Sequence, residues 1–294
     1  MSEVLKQHRL PRFKRVKENI PNIILQQRDI DILKLVYDFR FINSEQIHLL
    51  IKGSEQGLLK RLQKLFHQGF VDRPPQQLVN QFLTGERKII YALGRKGAET
   101  LNYFGLIEKE KIDWTAKNWE ARDTYLNHSM MIANFRTSLT LALREIKDTR
   151  ITTWLSGMAN ELRTQTKDKI PVSPDAFFTI EDEKSRLHFF LEADQSTMIN
   201  KRFLQKMKGY WYYWKEQGCY NKYKIKNFRV LTITKSKERM ENLKRITRNA
   251  DEKKQGSTLF WFTCEKNYSL KEPSNILKPI WETAKEDGLH SLLE

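Results

Sequence analysis

The sequence predicts a mixed α and β protein of two domains, the first α+β and the second α/β, preceded by a basic arm. Apolar residues recur at helical spacing between residues 27 and 70, and strand-length apolar runs alternate with helical segments between residues 126 and 263. The length of 294 residues suits two domains that each bury a core. The 52 Lys and Arg residues exceed the 36 Asp and Glu residues, which gives a formal net charge of +16.

The basic arm covers residues 1–26, where Pro11 and Pro21 interrupt any helix. We expect it to be partly disordered until an anionic partner is near, or to act only as a solubilising tail. No stretch approaches the roughly 18 apolar residues of a membrane span. Cys219 and Cys264 stand beside neither a second Cys nor a His at metal-ligand spacing. These observations predict a cytoplasmic protein that makes no membrane contact and whose thiols are buried or idle.

Three helices are predicted at the start of the first domain, residues 27–107, and a further helix follows Gly94 and ends near Gly105. The first begins near Gln27 and carries Asp29 in its first turn, where the helix dipole favours an acid. Asn43 and Ser44 offer N-cap side chains to a short second helix. The third helix covers residues 54–70. Its apolar positions fall on one face by helical spacing: Leu58, Leu59, Leu62, Leu65 and Phe66.

Two strands follow the third helix. Gly69 ends the helix, residues 70–73 begin a strand, residues 76–87 form a polar loop, and residues 88–93 return as a second strand. Three helices, a strand, a loop and a strand is the order of a winged-helix domain. The fragment RLQKLFHQGFVDR also resembles the recognition helix and first wing strand of winged helix-turn-helix proteins.

The winged-helix resemblance implies that the third helix enters a groove of double-stranded DNA. The excess of positive charge favours this reading because it attracts phosphate, and a protein-interaction role is the alternative. Gln56 and Arg61 can make paired hydrogen bonds to base edges and are the candidates for sequence readout. The other residues predicted to face DNA are Lys60, Lys64 and His67 on the helix and Arg87 and Lys88 at the wing.

The domain boundary is predicted within residues 108–124, which are charged and lack clear periodicity. The second domain, residues 125–294, then begins with a long amphipathic helix. An α/β domain with a mixed sheet follows from its element order. The predicted elements are a helix at 126–146, strands at 151–155, 176–180 and 187–193, a helix at 200–216, a strand at 228–234, a helix at 237–250 and a strand at 259–263.

Two acidic motifs lie at or beside strands of the second domain, SPDAFF with Asp175 and FFLEAD with Glu192 and Asp194. A buried carboxylate is unfavourable unless it is paired, hydrogen-bonded or bound to a metal. Two adjacent strands would bring Asp175 and Glu192 within reach of one divalent cation, and oxygen ligands suit magnesium or manganese.

The element order and these motifs resemble the PD-(D/E)xK nuclease superfamily, which uses an Asp, a Glu and a Lys two residues after the Glu. Here Asp194 stands where that lysine would be, and Lys201 or Lys206 on the next helix could replace it. The resemblance implies either a degenerate nuclease-like domain without a cofactor, or an active one. In the active form Asp175, Glu192 and Lys206 or Lys201 would be catalytic, and Asp175, Glu192 and Asp194 would bind the metal.

Five short motifs extend along the chain: DIDIL, RLQKL followed by GF, YALGRKG, PDAFF and FLEAD. With them, residues 27–263 resemble the replication-relaxation family of bacterial plasmids and mobile elements. The resemblance implies a DNA-binding protein of replication, transfer or regulation. The alternative is a magnesium-dependent DNA endonuclease or nickase. The sequence leaves open whether the protein is a homodimer.

The helix predicted at 200–216 also carries an aromatic run, residues 210–214, that could stack on single-stranded bases. Helical spacing instead favours packing of four of its residues against the sheet: Met207, Tyr210, Trp211 and Trp214. Three lysines recur every seven residues along one face of the helix: Lys201, Lys208 and Lys215. That face is either solvated or a second DNA-contacting stripe.

Overall fold

The computed structural model describes residues 11–16, 18, 20, 22–78, 88–108, 114–156, 162–163, 171–196, 198–285 and 288–294. Two compact units make up the chain, Met1–Ala133 and Asn134–Glu294. Both contain helices and strands, which confirms a mixed helix and sheet protein. Arg87, predicted at the wing, lies outside the described residues.

The first unit combines helices with a small antiparallel sheet whose strand order is β1-β3-β2. The three predicted helices are confirmed. Strand β1 was not predicted, because two residues are too short to show an alternating pattern. The elements are α1 (Gln27–Phe39), β1 (Ile42–Asn43), α2 (Ser44–Leu50), α3 (Glu55–Gln68), β2 (Val71–Asp72), β3 (Ile90–Leu93), α4 (Arg95–Tyr103) and α5 (Trp114–Trp119).

Local capping fixes where the first three helices begin and end. Gln26 and Asp29 form a capping box at the start of α1, and the Asn43 side chain accepts a hydrogen bond from the Gln46 N–H at the start of α2. Ser54 caps α3. Gly69 ends it with a φ of 87°, a left-handed conformation that favours glycine. These caps orient α3 against a fully buried core that includes Leu33, Val36, Leu58, Leu62 and Leu65.

Two segments outside the predicted helices pack on the first unit. Arg15, in the basic arm, donates from Nε to the Phe66 carbonyl oxygen over 2.8 Å and forms an ion pair with Asp72. In the charged segment 108–124, α5 carries the buried Asn118. Its Nδ2 donates to Asp72 Oδ2 over 2.8 Å. Hydrophobic periodicity does not detect polar contacts of this kind.

The described part of the second unit contains a seven-stranded sheet of order β12-β11-β10-β9-β8-β7-β4. Strands β8, β9 and β10 are parallel and the other neighbours are antiparallel, so the predicted mixed sheet is confirmed. The strands are β4 (Arg150–Ser156), β5 (Leu162–Arg163), β6 (Pro171–Val172), β7 (Ala176–Glu181), β8 (Arg186–Asp194), β9 (Arg229–Thr234), β10 (Phe260–Cys264), β11 (Trp281–Thr283) and β12 (Leu289–His290).

The helices of the second unit supply its core on both sides of the sheet. They are α6 (Asp123–Arg144), whose residues 134–144 belong to this unit, α7 (Asn200–Lys215), α8 (Gly218–Tyr223) and α9 (Lys237–Thr247). Phe135 of α6 packs against Phe178 of β7, with ring centroids 5.8 Å apart. Met207 and Tyr210 of α7 are fully buried with Phe190 of β8, as predicted.

Trp214 departs from the predicted packing of α7, because it is 40% exposed while Tyr213 is buried. The reason lies in α8, which folds against the Tyr213 ring. A Cβ atom added to Gly218 would come within 2.3 Å of that ring, so only glycine permits the approach. The covered face of α7 therefore turns from Tyr210 to Tyr213, and Trp214 is left at the surface.

Candidate nucleic-acid surface and buried carboxylate site

The α3 helix of the first unit presents an exposed polar face. Gln56, Lys60 and Lys64 on this face are all exposed, as the sequence predicts. Lys88, just before β3, is also exposed and lies 3.7 Å from Glu55 at the start of α3. An exposed ion pair of this length contributes little to stability. These cationic side chains are therefore available to an anionic partner.

Arg61 on the same helix is held by a structural partner. Its Nε donates to Asp29 Oδ1 over 2.6 Å, and its Nη2 donates to Asp29 Oδ2 and, over 2.6 Å, to the Ile24 carbonyl oxygen. The bonds to Asp29 raise the pKa of Arg61. Asp29 is 1% exposed, so its carboxylate depends on this partner. Base readout by Arg61 would require this pair to break.

His67, predicted to face the groove, is instead buried with 2% exposure. Its Nδ1 accepts a hydrogen bond from the Val16 N–H over 3.4 Å, so residues of the basic arm cover it. Burial lowers the pKa of His67, and the nearby Arg73 and Arg15 lower it further. Leu59 was predicted on the buried face and is 40% exposed, which is a second error in the helical wheel.

In the second unit, the strand register brings Asp175 beside Glu192. Strands β7 and β8 pair antiparallel with Ala176 opposite Leu191, and one step further Asp175 faces Glu192. The Asp175 N–H donates to the Leu191 carbonyl oxygen over 3.1 Å, and the Ala193 N–H donates to Asp175 Oδ2 over 2.8 Å. The two carboxylates thus lie on one face of the sheet, under α7.

Glu192 is buried with 4% exposure, and two side chains of α7 occupy its oxygens. Tyr210 Oη donates to Oε1 over 2.5 Å, and Lys206 forms an ion pair with Oε2. Burial raises the pKa of Glu192 to about 7; Lys206 opposes the shift and Asp175 adds to it. Burial lowers the pKa of Lys206, but the Glu192 and Asp175 carboxylates more than offset this, so the net shift is upward.

The remaining predicted residues of this site are divided between two places. Lys206, one turn and a half into α7, reaches Glu192, whereas Lys201 is exposed. Asp194 is bound by Arg239 of α9, whose Nη2 lies 2.8 Å from Oδ2 and whose Nε lies 3.1 Å from Oδ1. The Ser196 N–H also donates to Asp194 Oδ1 over 2.6 Å. Sequence reasoning missed Tyr210 and Arg239 as partners, because no motif spacing marks them.

This donor set does not fit a magnesium or manganese ion. Such ions bind several carboxylate, carbonyl or water oxygens that are free to coordinate. Both Glu192 oxygens accept from Lys206 and Tyr210, and both Asp194 oxygens accept from Arg239. Within the described ranges, no group of three or more acidic, histidine or cysteine side chains could hold a metal. Glu192 and Asp194 are therefore buried carboxylates that are paired with cationic side chains.

None of the helices in the described part of the chain is both long and apolar enough to span a bilayer.

The fold and the site define a class of two-unit α and β proteins, with a basic helix face in one unit and paired carboxylates on an inner strand of the sheet in the other. A model of the replication-relaxation family matches residues 33–230, more than half of the chain. The chain therefore belongs to the replication-relaxation family. No curated protein and no solved structure gave a significant match.

Proposed function

We propose that the protein binds duplex DNA at a specific sequence, and that it serves a plasmid or mobile element in replication, transfer or regulation. The observation that carries this proposal is the exposed α3 face with Gln56, Lys60 and Lys64. The order α1-β1-α2-α3-β2-β3 is that of a winged helix, in which the helix equivalent to α3 enters the major groove. Family membership supports a role in plasmid or mobile-element replication or transfer.

The side chains of the α3 face divide by chemistry. The Gln56 amide both donates and accepts, so it suits an adenine edge in the major groove. Lys60, Lys64 and Lys88 are point charges that suit phosphate. With Arg61 held by Asp29, Gln56 is the main candidate for base readout on this helix.

Duplex affinity measured against salt concentration tests this proposal. Lys60→Ala with Lys64→Ala should lower affinity more than about tenfold and reduce the salt slope by about 1 per lysine. Lys271→Ala with Lys278→Ala removes the same charge from exposed positions of the second unit and serves as the matched control. Unchanged affinity and slope in the α3 variant would instead favour a protein-interaction module.

Gln56 is tested separately, by selecting bound sequences from a random duplex library. Gln56→Ala should relax the preference at one or two base positions while the other positions stay the same. A selected sequence that is identical for wild type and variant would remove Gln56 from base readout.

We propose further that the second unit is a degenerate nuclease-like domain that does not cut DNA. The support is the engagement of Glu192 by Lys206 and Tyr210, and of Asp194 by Arg239. The alternative is a magnesium-dependent endonuclease or nickase. It is supported by the proximity of Asp175, Glu192 and Lys206. We do not adopt it, because Glu192 and Asp194, two of the three acids that would bind the metal, are already paired with cationic side chains.

A cleavage assay with supercoiled plasmid distinguishes a degenerate second unit from an active nuclease. We expect the plasmid to stay intact with wild-type protein and magnesium or manganese, under conditions where duplex binding is measured. Nicking that disappears in Asp175→Ala and Glu192→Ala, while duplex binding persists, would establish the nuclease instead.

A further inference from the structure

A second candidate surface lies on the other unit, where α7 ends and α8 begins. Three aromatic side chains are exposed there: Trp214 at 40%, Tyr220 at 40% and Tyr223 at 42%. Lys222 and Lys224 lie between and after the two tyrosines and are exposed as well. We call these five residues the aromatic–lysine surface. Neither the duplex-binding face nor the carboxylate site uses them.

The two tyrosines share one side of α8. They stand three residues apart in a helix, a spacing that places side chains next to each other on one face. Each ring also has its own cation. Lys222 Nζ lies 5.0 Å from the centroid of the Tyr223 ring, and Lys224 Nζ lies 5.4 Å from that of Tyr220. Exposed aromatic side chains and positive charges are thus interleaved.

The backbone holds α8 in a defined shape. Gln217 and Lys224, directly before and after the helix, have φ values of 54° and 61°. Residues other than glycine seldom adopt this left-handed conformation and do so where surrounding contacts hold them. Cys219 is buried, and Gly218 lies against the Tyr213 ring. The inner side of α8 is thus packed against α7, and Tyr220 and Tyr223 lie on its exposed side.

The charge around the surface selects an anion. Between residues 214 and 226 the sequence has four lysines, Lys215, Lys222, Lys224 and Lys226, and a single acid, Glu216. Lys215 forms an exposed ion pair with Glu252, so the excess of positive charge rests on the other three lysines. A strand whose bases are unpaired can stack them on aromatic rings while its phosphates meet lysines. A duplex cannot do this, because its bases are already stacked on one another.

We propose that the aromatic–lysine surface binds single-stranded DNA, with bases stacked on Tyr220 and Tyr223 and phosphates next to Lys222 and Lys224. The choice of DNA over RNA rests on the proposed function of the first unit, whereas the stacking and charge arguments do not. The protein would then contact a duplex with one unit and an unpaired strand with the other.

The test uses the full chain and a labelled 20-nucleotide oligo(dT), which forms no duplex, with binding followed by fluorescence polarisation. Tyr220→Ala with Tyr223→Ala should weaken binding about 30-fold, because each stacked base contributes about a factor of five or more. Tyr220→Phe with Tyr223→Phe keeps both rings and should retain wild-type affinity. Tyr103→Ala, which removes an 85% exposed tyrosine of the first unit, is the matched control.

A charge variant keeps the proposal testable if the tyrosine variant fails to fold. Lys222→Ala with Lys224→Ala should weaken oligo(dT) binding and reduce the salt slope by about 0.7 per lysine. The change Lys60→Ala with Lys64→Ala should lower duplex affinity and leave oligo(dT) affinity unchanged. Failure of the duplex proposal and failure of this one are therefore distinguishable.

Three outcomes would overturn the proposal. Unchanged oligo(dT) affinity in both the tyrosine and the lysine variants would remove the surface from DNA binding. A preference for oligo(U) that the tyrosine variant abolishes would reassign the ligand to RNA. The surface would instead be a membrane contact if wild type bound anionic lipid vesicles but no oligonucleotide, and if the tyrosine variant lost the vesicle binding.

Discussion

Asp29 and Arg61 form a two-pronged ion pair that joins the first turn of α1 to the middle of α3. Asp29 Oδ2 also accepts from the Gln26 N–H over 2.7 Å, so the same carboxylate caps α1 and holds α3. The pair therefore fixes the orientation of the proposed recognition helix, α3, relative to α1.

Loss of this pair should destabilise the first unit. Arg61→Ala leaves Asp29 buried without its cation and should lower the free energy of unfolding by about 3 kcal/mol. Lys64→Ala, an exposed change on the same helix, should stay within about 0.5 kcal/mol. Urea denaturation of the full chain measures both. If Arg61→Ala kept wild-type stability but lost DNA affinity, Arg61 would be a DNA contact after all.

His67 should make the first unit sensitive to acid. Burial and the nearby Arg73 and Arg15 lower its pKa, so below about pH 6.5 the unfolded chain binds more protons than the folded one. Stability should therefore be complete above that pH and fall as the pH decreases below it. Hydrogen exchange of α3 between pH 5 and 7.5 measures this. His67→Gln should flatten the dependence, and an unchanged slope would contradict the assignment.

Glu192 should give the second unit the opposite dependence. Its pKa is raised from 4.5 to about 7 by burial, so between those values the folded state binds more protons than the unfolded state. Its contribution to stability should therefore decrease by about 2 kcal/mol as the pH rises from 5 to 7. Glu192→Gln should remove most of that decrease in urea denaturation.

An exposed carboxylate provides the comparison for Glu192. Glu272→Gln changes a solvent-exposed acid of the same unit and should leave the pH dependence as in wild type. The interpretation fails if Glu192→Gln follows wild type throughout, or if both variants shift equally.

Arg239 should be a main stabilising contact of α9. It binds the 6% exposed Asp194, and its Nη2 also donates to the Met198 carbonyl oxygen over 2.6 Å. Arg239→Ala should lower the free energy of unfolding by about 3 kcal/mol, while the exposed Arg245→Ala should change it by less than about 0.5 kcal/mol. Combining Arg239→Ala with Asp194→Ala should be less damaging than the sum of the two single changes. Strictly additive losses would argue against a direct pair.

The sequence was most informative where one physical rule acts alone. Helical spacing located α3, and the alternation of strands and helices predicted five of the seven strands of the mixed sheet within a few residues. The short strands β11 and β12 were not predicted. The adjacency of Asp175 and Glu192 also follows from strand order. These features depend on hydrophobic burial, which leaves a periodic trace.

The predictions of exposed positions were wrong where a polar side chain can bind a partner that is distant in sequence. A helical wheel puts Arg61 and His67 on the outer face of α3, but it does not include Asp29 or the arm residue Val16 that engage them. The helical spacing of Trp214 predicts burial, but the position of α8 leaves Trp214 exposed. Partners distant in sequence leave no local pattern, so only the three-dimensional arrangement reveals them.

The contact between Arg15 and Asp72 determines where a stable fragment of the protein can begin. A fragment that starts at Gln27 would lack Arg15, expose part of Phe66 and leave the 3% exposed Asp72 with Asn118 but without its ion pair to Arg15. Such a fragment should unfold more readily than one that starts at Pro11. Weak DNA binding by the shorter fragment would then report a damaged scaffold and give no measure of phosphate contacts made by the arm.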